Sequence, residues 1–163
     1  MWRSPGRPLS QAGAWKLINE SLLKDRVVSS SELDLLRRRA RARAVHKHFY
    51  IHLGLLERLR SDERLVFGGR IAAVEAGAPV DIGQSLDVYV QADHLESMIV
   101  DYRIKEVPER ANLHLHVVAD DIWPFGSSER YVSQQLAWLD LADSQDRAAD
   151  VLLDRLIGGR LSA

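Results

Sequence analysis

Five arginines occupy residues 37–43 of the stretch "ELDLLRRRARARAVHKH", which covers residues 32–48. Arg37, Arg38, Arg39, Arg41 and Arg43, followed by Lys47, place guanidinium forks and an ammonium where a helix would carry them. Such groups bind phosphate, and a cluster of them supplies the counterion-release term behind sequence-independent nucleic-acid binding. Arginines throughout offer grip without much base readout, so the chemistry expected is auxiliary DNA contact. The plainer alternative is a solvated helix lying against acidic groups of this chain or of a partner. Histidines form a second pattern. His46 and His48 share one strand face, as do His114 and His116, and each pair has the chemistry of half a metal site. No third ligand follows at a recognisable spacing. The alternation of His114 and His116 with Leu113 and Leu115 fits the polar face of a half-buried strand. Neither a metal nor a cofactor is expected.

A third constellation is "VFGGRIAAVEAGAPVDIGQSLDVYV" (residues 66–90). It resembles the active-site opening of minimal nucleotidyltransferases, in which a strand ends in a Gly-Gly or Gly-Ser turn and a helix follows. The next strand then carries an Asp-x-Asp pair. Two carboxylates on one strand face are required there because two metal ions must be bridged during phosphoryl transfer. Asp87 fills the first position and Tyr89 stands at the second. A phenol does not replace a carboxylate, so the expectation is a chain without enzymatic activity. The alternative is a degenerate relative that binds nucleotide through Gly68, Gly69 and Asp87. No Ser/His/Asp ordering and no phosphate-binding loop with lysine accompanies these residues.

The elements that must position these groups follow from periodicity and punctuation. Residues 10–23 begin at a Ser10 cap and put Trp15, Ile18 and Leu22 on one helical face. Ser29 and Glu32 have capping-box spacing, predicting a helix from about residue 30 to 45 with Leu33, Leu36, Ala40 and Ala44 inward. Strands are expected at "HKHFYIHL", "RLVFGG", "SLDVYVQ" and "NLHLHVVAD", with a short one at "IKEV". Helices are expected at "GLLERLRSD", "RIAAVEAG" and residues 92–102, and two more close the chain, the last starting at Ser144 and ending at Gly158. The fold class is α/β (α+β), a small mixed sheet of about four strands flanked by helices, with an N-terminal helical pair. Residues 1–8 read as a linker or tail, 9–48 as a basic helical region, and 49–163 as the α/β domain. The helical pair superficially imitates helix-turn-helix but lacks a convincing third helix and wing.

A chain of 163 residues, 46% hydrophobic and 28% charged, is able to bury a core of its own. It has no cysteine, which excludes disulfides, thiolate metal sites and a cysteine nucleophile. No apolar run approaches the ~18–20 residues of a membrane span, and the N-terminus has no signal-peptide core. A cytoplasmic protein is expected. The net charge of −1 conceals an asymmetry: residues 1–70 carry 15 Lys/Arg against 7 Asp/Glu, and residues 71–163 carry 7 against 16. Read as surfaces, the basic half faces an acidic partner or DNA. The acidic half, including Asp140, Asp143, Asp146 and Asp150, faces a basic partner.

The segments "RSPGRPLSQAGAWKLI", "VFGGRIAAVEAGAPVDIG", "LDVYVQADHLESMIVDY", "NLHLHVVADDIWPF" and "LAWLDLADSQDRAADVLLDRL" occur here in that order. Together they resemble actinobacterial helix-turn-helix proteins of the AbiEi antitoxin type, over nearly the whole chain. "GRPLS…AW" and "LDLADSQDRAA" are the most specific parts. The resemblance implies an antitoxin and transcriptional regulator, paired with a nucleotidyltransferase-like toxin of the AbiEii type, that represses its own operon and counteracts the toxin. Such proteins usually begin with a small DNA-reading module. This chain starts almost at the "GRPLS" junction, so it is expected to be the effector domain without that module. A stand-alone domain that mediates homodimerisation is the third reading.

Overall fold

The clearest strand by alternation, "LHLHVV", is an interior strand. In the computed structural model, which describes residues 9–20, 29–83 and 85–157, it lies inside a four-stranded sheet. The strands are β1 (Val45–Phe49), β2 (Leu65–Phe67), β3 (Leu86–Gln91) and β4 (Leu113–Val118), in the order β1-β4-β3-β2. β4 runs parallel to β3 and antiparallel to β1, while β2 runs antiparallel to β3. The described residues contain seven α-helices: α1 (Gln11–Glu20), α2 (Ser30–Ala40), α3 (Leu56–Arg60), α4 (Gly69–Glu75), α5 (Leu95–Tyr102), α6 (Gln134–Asp143) and α7 (Ala148–Ile157). A mixed sheet flanked by helices is the expected fold class. The parallel β3–β4 pair needs a crossover, and α5 supplies it.

Because strand side chains alternate, the register sorts the sheet into two faces. Val45, Lys47 and Phe49 of β1 share a face with Leu113, Leu115 and Val117, with Val88 and Val90, and with Leu65 and Phe67. Leu59 of α3, Met98 and Tyr102 of α5 and Ile71 of α4 cover that face in an apolar core. The opposite face carries His46, His48, His114, His116, Asp87, Tyr89 and Val66. A second core packs there, built from Trp15 and Ile18 of α1, Leu33 and Leu36 of α2, Ala72 and Ala73 of α4, most of α6, and Leu152 of α7. Polar strand residues therefore lie beneath helices.

Local chemistry explains the boundaries. Ser29 Oγ accepts from the Glu32 amide at 3.2 Å and starts α2. The expected continuation to residue 45 does not occur. α2 stops at Ala40, a 3-10 turn takes Arg41–Arg43, and β1 begins at Val45. β1 also runs across the expected division at residue 48, and α1 and α2 share a core with α6. Ser144 ends α6 rather than beginning α7. The first turn of α7 is instead held by Asp146, whose Oδ1 accepts from the Ala148 amide at 2.9 Å. At "IKEV" only Lys105 bridges, to Tyr50 on the outer edge of β1. Leu22, the turn after α1, residues 1–8 and Gly158 lie outside the described residues. No helix among the described residues is long and apolar enough to cross a membrane.

Candidate functional site

The centre of the helix-covered face is a buried polar network. Arg43, at the end of the 3-10 turn, is 0% exposed. Its Nε donates to the Tyr89 hydroxyl at 2.9 Å, its Nη2 to Asp140 Oδ1 at 2.8 Å, and its Nη1 to the Ala40 carbonyl at 3.1 Å. Nη1 also pairs with Asp143 Oδ2 at 2.8 Å. The Tyr89 hydroxyl donates to Asp140 Oδ1 at 2.5 Å, and the Gly69 amide donates to Asp140 Oδ2 at 3.1 Å. Burial opposes the guanidinium charge, but Tyr89, Asp140 and Asp143 outweigh it and raise the Arg43 pKa above its ordinary value. Burial likewise lifts the Tyr89 phenol well above its usual range, so it stays a neutral donor.

The glycine pair acquires its reason from this arrangement. A Cβ on Gly68 would collide with the Asp140 carboxylate, and one on Gly69 with the carboxylate of Asp87. Gly69 also has φ +54°, the left-handed region. The order expected for the nucleotidyltransferase-like opening is present, β2, Gly68, Gly69, α4 and β3. Its turn amide, however, is already taken by the chain's own carboxylate, and Tyr89 is fastened between Arg43 and Asp140. Asp87, one row along, accepts from His116 Nε2 at 3.0 Å and lies 3.8 Å from His114 Nδ1. Against burial, those two imidazoles hold its carboxyl well below the usual carboxylate range. The same contact raises the His114 pKa.

The structure redistributes the residues singled out for DNA contact. Arg38, Arg39 and Arg41 are exposed. Arg37 lines a groove of about 390 Å³ with Asp34, Asp146 and Asp150. Arg43 is a core residue and presents nothing to DNA, because it lies on the inward side with Leu36 and Ala40 and reaches Asp140. Strand alternation puts Lys47 on the face opposite His46 and His48, and so opposite the face on which α2 packs. The acidic surface is corrected too. Asp140 is 1% exposed, Asp143 pairs with Arg43, and Asp146 accepts from Arg70 Nε and Nη2 at 2.7 Å each. Asp150 remains exposed. Much of the charge asymmetry is thus satisfied within the chain. His116, expected on the polar face of a half-buried strand, is 3% exposed and stacks on Tyr89 with ring centroids 4.5 Å apart.

Sequence reasoning missed the partners of the network. Trp15 donates from Nε1 to the Arg43 carbonyl at 2.9 Å and meets Tyr89 edge-on. Phe125 packs edge-on against both Trp15 and Tyr89. Asp140 carried a visible signal, an aspartate inside the apolar run "AWLDLA". The five segments that carry the antitoxin resemblance supply Trp15, Gly68 to Arg70, Asp87 and Tyr89, His114 and His116, Phe125, and Asp140 to Asp146, and these converge on one place. Beside it opens a polar recess of about 490 Å³ lined by Arg70, Ser85, Asp87, His114, Ser144 and Asp146 among others. No protein-family model, no curated protein and no solved structure matches this chain.

Proposed function

We propose that this chain is a non-catalytic, nucleotidyltransferase-like domain that acts by interaction, the effector domain of an AbiEi-type antitoxin and regulator. One observation supports the reading above the others. The segments that carry the resemblance meet around Arg43, which lies outside them, in a single buried network where Tyr89, standing in place of the second metal-binding carboxylate, is fastened between Arg43 and Asp140. A residue locked by a guanidinium and a carboxylate serves architecture, and the fold is then free to present surface. Arg38, Arg39 and Arg41 give that surface a basic edge suited to phosphate or to an acidic partner.

The test is co-expression of the chain with a nucleotidyltransferase-like toxin of the AbiEii type. Restored growth supports the antitoxin reading. Unrelieved arrest, together with nucleotide transfer by the isolated chain in magnesium and nucleoside triphosphate, would sink it.

A second reading, nucleotide binding without turnover, is favoured by the recess beside Asp87 and Arg70. A nucleotide that binds only the folded state raises the melting temperature. Titration without any shift excludes it.

A further inference from the structure

The histidine pairs that the sequence separates by more than sixty residues form one tile. β1 and β4 pair with His46 opposite His116 and His48 opposite His114. Ring centroids are 5.0 Å apart in the first pair and 4.8 Å in the second, each edge-to-face. The inner row is engaged, with half-buried His46 Nε2 on the Arg41 carbonyl at 3.0 Å and buried His116 Nε2 on Asp87. The outer row is open, with His48 exposed and His114 half-buried at the wall of the polar recess.

We propose that His48 and His114 bind a divalent transition-metal ion through their two imidazoles, with water completing its coordination. Three features support the site. Asp87 lies against Nδ1 of His114 at 3.8 Å, the outer-shell carboxylate that orients a ligating histidine and leaves its Nε2 for the ion. The tile shares a small recess with Asp87, Asp140 and Asp143, whose carboxylates offset the nearby cations Arg41, Arg43 and Lys47. His116 Nδ1 is buried within the tile with no hydrogen-bond partner, a polar atom that a coordinated water would satisfy. Among the described residues no three His, Asp or Glu side chains are placed to enclose a metal. The site is therefore a two-ligand one, and His48 on its edge strand turns from the edge-to-face arrangement to share the ion. Imidazole donors select zinc, nickel or copper over magnesium or calcium, which prefer oxygen.

The experiment titrates chelator-treated protein with zinc, nickel and magnesium chlorides, reading heat of binding and melting temperature. One zinc or nickel ion per chain is expected, with magnesium inert. His48→Ala removes an exposed side chain, so it should leave the metal-free melting temperature unchanged and weaken binding about tenfold or more. His114→Gln should do the same to binding, and His52→Asn, outside the tile, should leave it intact. No zinc or nickel response, an equal response to magnesium, or a response that survives both tile variants overturns the proposal.

Discussion

Arg43 and Asp140, 97 positions apart in the chain, meet at 2.8 Å with neither side chain exposed to solvent. A buried pair of this kind adds little net stability over a well-packed apolar substitute, but removing one partner strands the other. Arg43→Met leaves Asp140 and Asp143 without their cation and takes a donor from Tyr89. The expected loss is about 3–5 kcal/mol, measured by urea unfolding. Arg38→Ala and Arg39→Ala, on the exposed face, should stay within about 0.5 kcal/mol of the parent. Similar losses at all three positions would remove Arg43 from its central role.

Gly68→Ala should destabilise by about 1–3 kcal/mol, because the new methyl group forces the Asp140 carboxylate to move. Gly69→Ala meets Asp87 and carries a left-handed backbone as well, so its loss should be larger. The ordering of the two in equilibrium unfolding is the check.

His46 and His114 titrate with opposite consequences. Burial lowers the His46 pKa to about 4, so between its ordinary value of 6.5 and about 4 the unfolded chain binds a proton that the folded one refuses. Stability should fall as pH drops through that window. Asp87 raises the pKa of His114, so its contribution is complete below 6.5 and fades as pH rises past the raised value. His46→Gln should flatten the acidic slope and His114→Gln the decline above 6.5. A melting-temperature profile from pH 4 to 8 that neither variant alters would refute both assignments.

Further into acid, Asp62 governs. Burial works against its charge, but hydrogen bonds from Arg64 and Tyr102 lower its pKa from 3.8 to about 2. A depressed carboxylate contributes stability above its unfolded pKa and loses it as pH falls through the folded one. Asp62→Asn should therefore weaken the chain at neutral pH and leave a flatter profile between those two values, as an acid titration followed by circular dichroism would report.

If the basic edge grips DNA, Arg38, Arg39 and Arg41 carry the contact and Arg43 and Lys47 do not. Replacing each contacting arginine by Ala should reduce the salt slope of binding by about 0.9 per phosphate lost. Mobility shifts at about 50 and about 200 mM salt read this directly. A Lys47→Ala change that matches Arg39→Ala would redraw the surface.

What the residues disclosed in advance was what local rules govern. Ser29 and Glu32 announced α2, and the alternation of Leu113, Leu115 and Val117 announced β4. Arg43 was lost in its own cluster, although it stands seven residues after Leu36 and so shares the inward face of α2. Asp140 was hidden differently. Residues Leu136 to Ala142 of α6 are buried on every side, so no polar stripe separated an inward acid from an outward one. The histidine tile depends on pairing between β1 and β4, a register that neither strand states alone.

The separation of Arg43 from Asp140 also sets a schedule. As the chain leaves the ribosome, Arg43 emerges with the first strand and has no acid to meet until α6 follows 97 residues later. Closing the helix-covered face before then would bury a bare cation, so that half of the fold waits for nearly the whole sequence. Synthesis that stops short of Asp140 leaves the guanidinium in water and the Gly68 turn without its plug.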